Sequence, residues 1–147
     1  MDNCLICNRI EQIKRNENKH FICALESSYV VLGDSQFYKG YTLLLSKYHC
    51  TELHHLERKK RSKYLEEMAM VSEVLMNVFE PIKLNYELLG NRHAHLHWHL
   101  FPRHSDDLDI NNPIWIISKE IRNNTFLDAE VLIEMKRKIK KGINEYY

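Results

Sequence analysis

The chain is short of residues that loosen a backbone: four glycines and three prolines in 147 positions. So few glycines leave little room for a Gly-rich loop that cradles phosphate, and none appears. Long apolar runs are missing too. No stretch approaches the ~20 apolar residues that a membrane span needs. The opening "MDNCLICNRI" lacks the basic-then-apolar build of a secretory leader. The expectation is a cytoplasmic protein with no membrane partner. Nor is one sign of charge in excess. A formal net charge of +1 gives no broad attraction to nucleic acid, and no specific nucleic-acid partner is expected. Two basic runs, "RKKR" (58–61) and "KRKIKK" (136–141), read as solvated faces of amphipathic helices. Cysteine is sparse as well: Cys4, Cys7, Cys23 and Cys50 do not make a disulfide framework in a reducing compartment.

What is present reads as globular. Apolar residues at 44% and charged residues at 28% suit one packed domain over residues 1–147. A short helix is expected over 5–15, with strands over 20–25, 29–33 and 41–46. The last of these is continuously apolar, as suits a strand buried on both faces. A long helix carries Tyr64, Met68, Val71, Leu75, Val78 and Phe79 on one stripe and stops at Pro81. Two more strands, 82–89 and 93–101, are expected around a tight connection at Gly90 and Asn91. A last helix begins near Asp128, with Leu132, Met135, Ile139 and Ile143 on one face. Strands, helix, strands, helix is an α+β order with a mainly antiparallel sheet.

Two clusters carry chemistry. Cys4 and Cys7 form a C-x-x-C pair. With no strand ahead of it, the pair reads as a metal knuckle before a redox motif. The second cluster is "NRHAHLHWHLFPR" (91–103), with His93, His95, His97 and His99 at every second position. On a strand these four share one face, and Ala94, Leu96, Trp98 and Leu100 share the other. The second set is apolar and belongs to the core, so the imidazoles should line a polar face open to a ligand. Two chemistries remain open for them. Alternate histidines, ~6.6 Å apart along a strand, can chelate one metal. A neutral imidazole is also a competent nucleophile at phosphorus, since a reference pKa of ~6.5 leaves it mostly deprotonated at pH 7.

The segment "HLHWHLFPR" (95–103) resembles the histidine-triad signature. "CLIC" (4–7), "KGYTLLLSKYHCTELHHL" (39–56) and "LNYELLGNRHAHLHWHLFPR" (84–103) follow in family order and at family spacing. "DDLDINNPIW" (106–115) resembles the diadenosine-tetraphosphate-hydrolase-like branch. The likeness covers residues 4 to about 115; residues 116–147 form an extension with an amphipathic helix.

The resemblance implies the family's fold: a five-stranded, mainly antiparallel sheet with one long helix and a C-terminal helix, in a homodimer. It implies hydrolysis at the α-phosphorus of a purine nucleotide, either a dinucleoside polyphosphate or a nucleoside phosphoramidate. His97 would be the nucleophile that forms a nucleotidyl-histidine, and His99 would contact the phosphate. His95 would be a ligand or brace beside them in the catalytic triad. Nucleotidyl transfer to another acceptor is the nearest alternative. A structural Zn2+ would be held by Cys4, Cys7, His49 and His95, and no organic cofactor is expected. Substrate contacts would come from Asn91 and Asn85. Where many members carry a ribose-binding Asp, the count falls on Gly33, which leaves Asp34 and Gln36 as candidates. The family's Gly-His is here Gly40-Tyr41. Arg92 is placed to meet a polyphosphate tail. From other classes, a zinc hydrolase with its ion on the histidine tract, or a nucleotide-binding regulator without turnover, remain alternatives.

Overall fold

The computed structural model describes residues 3–147. Helix α1 (Leu5–Lys14) opens the chain. It is followed by strands β1 (Phe21–Ala24), β2 (Ser28–Leu32) and β3 (Thr42–Ser46). The long α2 (Arg58–Phe79) comes next, then β4 (Lys83–Glu87) and β5 (His97–Arg103). A short α3 (Lys119–Arg122) and α4 (Ala129–Tyr146) close the chain. The five strands form one antiparallel sheet in the order β1-β2-β3-β5-β4. This is the α+β architecture expected. None of the described helices is long and apolar enough to cross a membrane.

Period-two alternation divides the sheet's side chains between two cores. Val30, Leu32, Leu44 and Leu100 face one side, where Tyr64, Val71 and Leu75 of α2 and Met135, Ile139 and Ile143 of α4 cover them. Val31, Leu43 and Leu45 face the other, under Ile6, Ile10 and Ile13 of α1. Every residue of β3 is buried, which is why its sequence is apolar without alternation. α4 seats closely on α2 at Gly142, where an added Cβ would come within 2.6 Å of Val74.

Several boundaries differ from the sequence reading. The histidine strand begins at His97, not at residue 93, and runs on to Arg103. Residues 88–96 form a long connection rather than a tight hairpin. His95 donates its backbone N–H to the His93 carbonyl, which bends the chain ahead of the strand. The histidine face is also less open than expected. α1 lies over that side of the sheet, and His95 and His97 are both buried. The stretch after Pro113 forms a 3-10 turn and α3.

Candidate functional site

Two neighbouring sites meet at His95. The first is built by the start of α1. Cys4 caps the helix, and its sulfur accepts the Cys7 backbone N–H at 3.4 Å, so the C-x-x-C spacing turns both thiols to one side. His49, after β3, and His95, before β5, close the cluster. The four ligand atoms lie within 4.8 Å of one another. Sulfur to imidazole Nδ1 distances are 3.5 Å for Cys4–His95, 3.5 Å for Cys7–His95 and 3.2 Å for Cys7–His49. The two Nδ1 atoms are 3.2 Å apart. A tetrahedral ion bound at ordinary lengths separates sulfur from nitrogen by about 3.5 Å and nitrogen from nitrogen by about 3.3 Å. The donor set therefore fits a metal. His95 is already oriented for it: Nε2–H donates to the Ser46 carbonyl at 2.9 Å, which leaves Nδ1 bare toward the thiols. Cys50 stays outside, near the Glu52 carbonyl.

The second site is a cavity of about 270 Å³ between β5, the loop after β2 and α3, lined on one wall by His97 and His99. The hydrogen bonds give these two rings opposite tautomers. His97 Nδ1–H donates to the His95 carbonyl at 2.6 Å. A carbonyl only accepts, so Nε2 of His97 is unprotonated, and among the described residues it has no partner. His99 Nδ1 lies 2.7 Å from the Tyr41 hydroxyl. Burial pushes the phenol pKa up, so the hydroxyl keeps its proton. With no other acceptor among the described residues, it donates to Nδ1, and the His99 proton sits on Nε2. Both rings are uncharged. Burial pushes His97 below its ordinary range, and burial reinforced by His97 pushes His99 down to about 3.

Gly33 explains how Tyr41 gets there. A Cβ at Gly33 would lie 2.0 Å from the Tyr41 ring, so the missing side chain is the space the ring occupies. The ring stacks on Phe101 at 4.1 Å and runs parallel to His99, with Trp115 edge-on to both His99 and Phe101. Phe37 and Tyr38 complete an aromatic floor. Such a wall suits a flat heteroaromatic ring.

The other expected site residues divide. Asp34 lines the cavity but is held by a two-pronged ion pair with Arg9, one contact at 3.1 Å. Gln36 is not brought in. Its amide donates to the Gly33 and Tyr41 carbonyls and accepts from Gly40 N–H, so its polar atoms brace the loop. Asn85 is also elsewhere: its carbonyl oxygen accepts from buried Arg103 at 2.9 Å, beside a different depression. Asn91 and Arg92 are exposed on the 88–96 connection and do not line the cavity. Neither does the His95 ring, whose two nitrogens face the thiols and Ser46; only its carbonyl reaches His97. His97 and His99 stand apart from the sulfur–imidazole cluster, so the tract does not converge on one ion.

Sequence reasoning missed Arg9, Trp115, Lys119 and Arg122, all of which line the cavity. It passed over Tyr41 as well, although that residue follows Gly40 where the family has histidine.

Comparison with known proteins agrees with this fold. The family description "HIT domain" matches residues 14–106. The "Protein hit" of Bacillus subtilis is 27% identical over 112 residues, covering 70% of this chain and 72% of its own. A histidine triad protein from Bradyrhizobium japonicum superposes with a TM-score of 0.76 at 22% identity, over 90% of this chain and 94% of its own. A zinc-bound histidine triad family protein from Mycobacterium smegmatis gives 0.67 at 15% identity, over 98% and 95%. The diadenosine triphosphate hydrolase of Plasmodium falciparum gives 0.61 at 18%, over 86% and 78%.

Proposed function

Since the chain belongs to the HIT-domain family, we propose that it hydrolyses purine nucleotide derivatives at the α-phosphorus through a nucleotidyl-His97 intermediate. The observation that carries this reading is the opposite protonation of two adjacent rings, 4.7 Å between centroids. One offers a lone pair and the other a proton.

In the first step Nε2 of His97 attacks the α-phosphorus and the bond from phosphorus to the leaving group breaks; a phosphate departs as its anion, and an amine departs neutral after taking a proton from water. The attacking ring keeps its proton on Nδ1 and becomes cationic. The His95 carbonyl at 2.6 Å accepts that N–H bond and stabilises the charge. His99 Nε2–H donates a hydrogen bond to a phosphoryl oxygen, where charge builds up in the transition state; a donor of this kind is worth roughly 10²–10³ in rate. In the second step water attacks the phosphorus and releases a proton to solvent, the electron pair of the P–N bond returns to Nε2, and the neutral ring is restored. The aromatic floor takes the base. Asp34, despite its ion pair, is the nearest acceptor for ribose hydroxyls.

Cys4, Cys7, His49 and His95 are assigned to zinc. Two thiolates and two imidazoles form a closed tetrahedral set, so the ion supplies cross-linking rather than Lewis acidity at the substrate. It would tie the N-terminus of α1 to the strand that carries His97.

The decisive experiment offers a panel of dinucleoside polyphosphates and adenosine phosphoramidates and identifies products by mass. AMP as a common product, with an adenylyl group trapped on the His97 peptide, supports the reading. Turnover without that adduct, and undiminished in His97→Ala, overturns it.

A further inference from the structure

The outer wall of the cavity comes from beyond residue 106, where the family match ends. Trp115, Lys119 and Arg122 stand there on the turn after Pro113 and on α3. Arg122 is held in place without a salt bridge among the described residues, although the half-buried Glu87 feels its charge. Its Nε donates to the Ile117 carbonyl at 2.9 Å, and its guanidinium carbon lies 4.7 Å over the Trp115 ring. Among the described residues, neither Arg122 nor Lys119 forms an ion pair with a carboxylate, whereas Arg9 at the same cavity is paired with Asp34. Counting Arg9, Lys119 and Arg122 against Asp34, the charged lining has an excess of two positive charges.

We propose that Lys119 and Arg122 form a subsite for phosphates beyond the first, so that the chain prefers nucleotides with a polyphosphate tail over those ending in an amine. This rests on the nucleotide reading above. The uncharged triad rings face the α-phosphate, and Trp115 is packed edge-on to His99 at 6.3 Å, with Arg122 on Trp115. Arg122 thus stands one aromatic ring away from His99, and Lys119 lines the same cavity. A guanidinium fixed by ring stacking and one carbonyl presents its remaining N–H groups with little ordering left to lose. Its fork matches phosphate oxygens. Arg92, which the sequence offered for this role, is exposed and does not line the cavity.

The test compares two ligands by calorimetry without divalent metal: AMP and its α,β-methylene triphosphate analogue, which cannot be cleaved at the inner bridge. Wild-type protein should bind the analogue about 10- to 100-fold more tightly than AMP. The ratio should shrink as salt is raised. In Lys119→Ala/Arg122→Ala it should fall to within about twofold of one, with Lys119→Ala alone, at an exposed position, falling part of the way. AMP binding with no tail advantage in the wild type, or an advantage kept by the double variant, overturns the subsite alone. Failure of the wild type to bind either ligand overturns the nucleotide reading together with it.

Discussion

The hydroxyl of Tyr41 lies 2.7 Å from Nδ1 of His99, with the two rings stacked 12° from parallel. The contact decides which nitrogen of His99 carries the proton. Tyr41→Phe keeps the ring in its place over Gly33 and removes only the donor. The expected result is a loss of about 10²-fold in kcat with KM little changed, and about 1 kcal/mol of stability. Steady-state kinetics and a melting curve read both; an unaltered kcat would refute the assignment.

His97→Ala should abolish covalent nucleotidylation and lower turnover by at least about 10³-fold. Its ring makes one bond to a neighbouring carbonyl and otherwise faces the cavity, so circular dichroism should show a folded protein. A variant that melts or arrives unfolded would place His97 in the scaffold instead.

Acid should destabilise the protein through His99. Its folded pKa, about 3, lies below the ordinary value. Above pH ~6.5 the ring is neutral whether the chain is folded or not, and it contributes no slope. As pH falls from there toward 3, the unfolded chain gains a proton that the folded chain refuses, so stability drops by up to about 1.4 kcal/mol per pH unit. Urea titrations of wild type and His99→Gln should diverge in slope by about one proton over that window. Parallel curves would contradict a buried neutral ring.

Arg103 is 1% exposed. It donates to Asp107 at 2.9 Å, to Asn85, and to the Asn112 and Asp109 carbonyls. Arg103→Met should cost about 3–5 kcal/mol, because it leaves the Asp107 carboxylate and three other acceptors without their donor. Chemical denaturation measures this, and a loss below about 1 kcal/mol would show that the network is not under strain from desolvation.

Removing the metal should loosen the N-terminus. Metal analysis of protein purified without chelator should find about one zinc per chain, and Cys4→Ser should release it and lower Tm. A zinc-free wild type with the same Tm would refute the ligand assignment.

The residues that make these sites were legible to different degrees, for physical reasons. Cys4 and Cys7 read as a metal knuckle from their spacing, whereas His49 and His95 were named only through the family resemblance; the structure brings all four together. His97 and His99 stood out by strand alternation. The same alternation overreached at residues 93–95, because His95 must leave the ladder to point Nδ1 at the thiols. Asp34 and Gln36 were chosen by counting along the chain, Asn85 and Asn91 by their place in the family pattern, and Arg92 by its charge and fork. The count carries no information on which side of a loop an amide faces, and Gln36 turned inward to satisfy backbone groups. Lys119 and Arg122 sit on a four-residue helix in a segment without periodicity, so their arrival at the cavity is a purely tertiary event.

His95 joins the two sites through one peptide unit: its ring belongs to the thiol cluster, and its carbonyl holds His97. A metal held by those thiols would therefore steady the peptide unit that positions His97, and loss of a thiol ligand would reach the cavity with every ring on its wall intact.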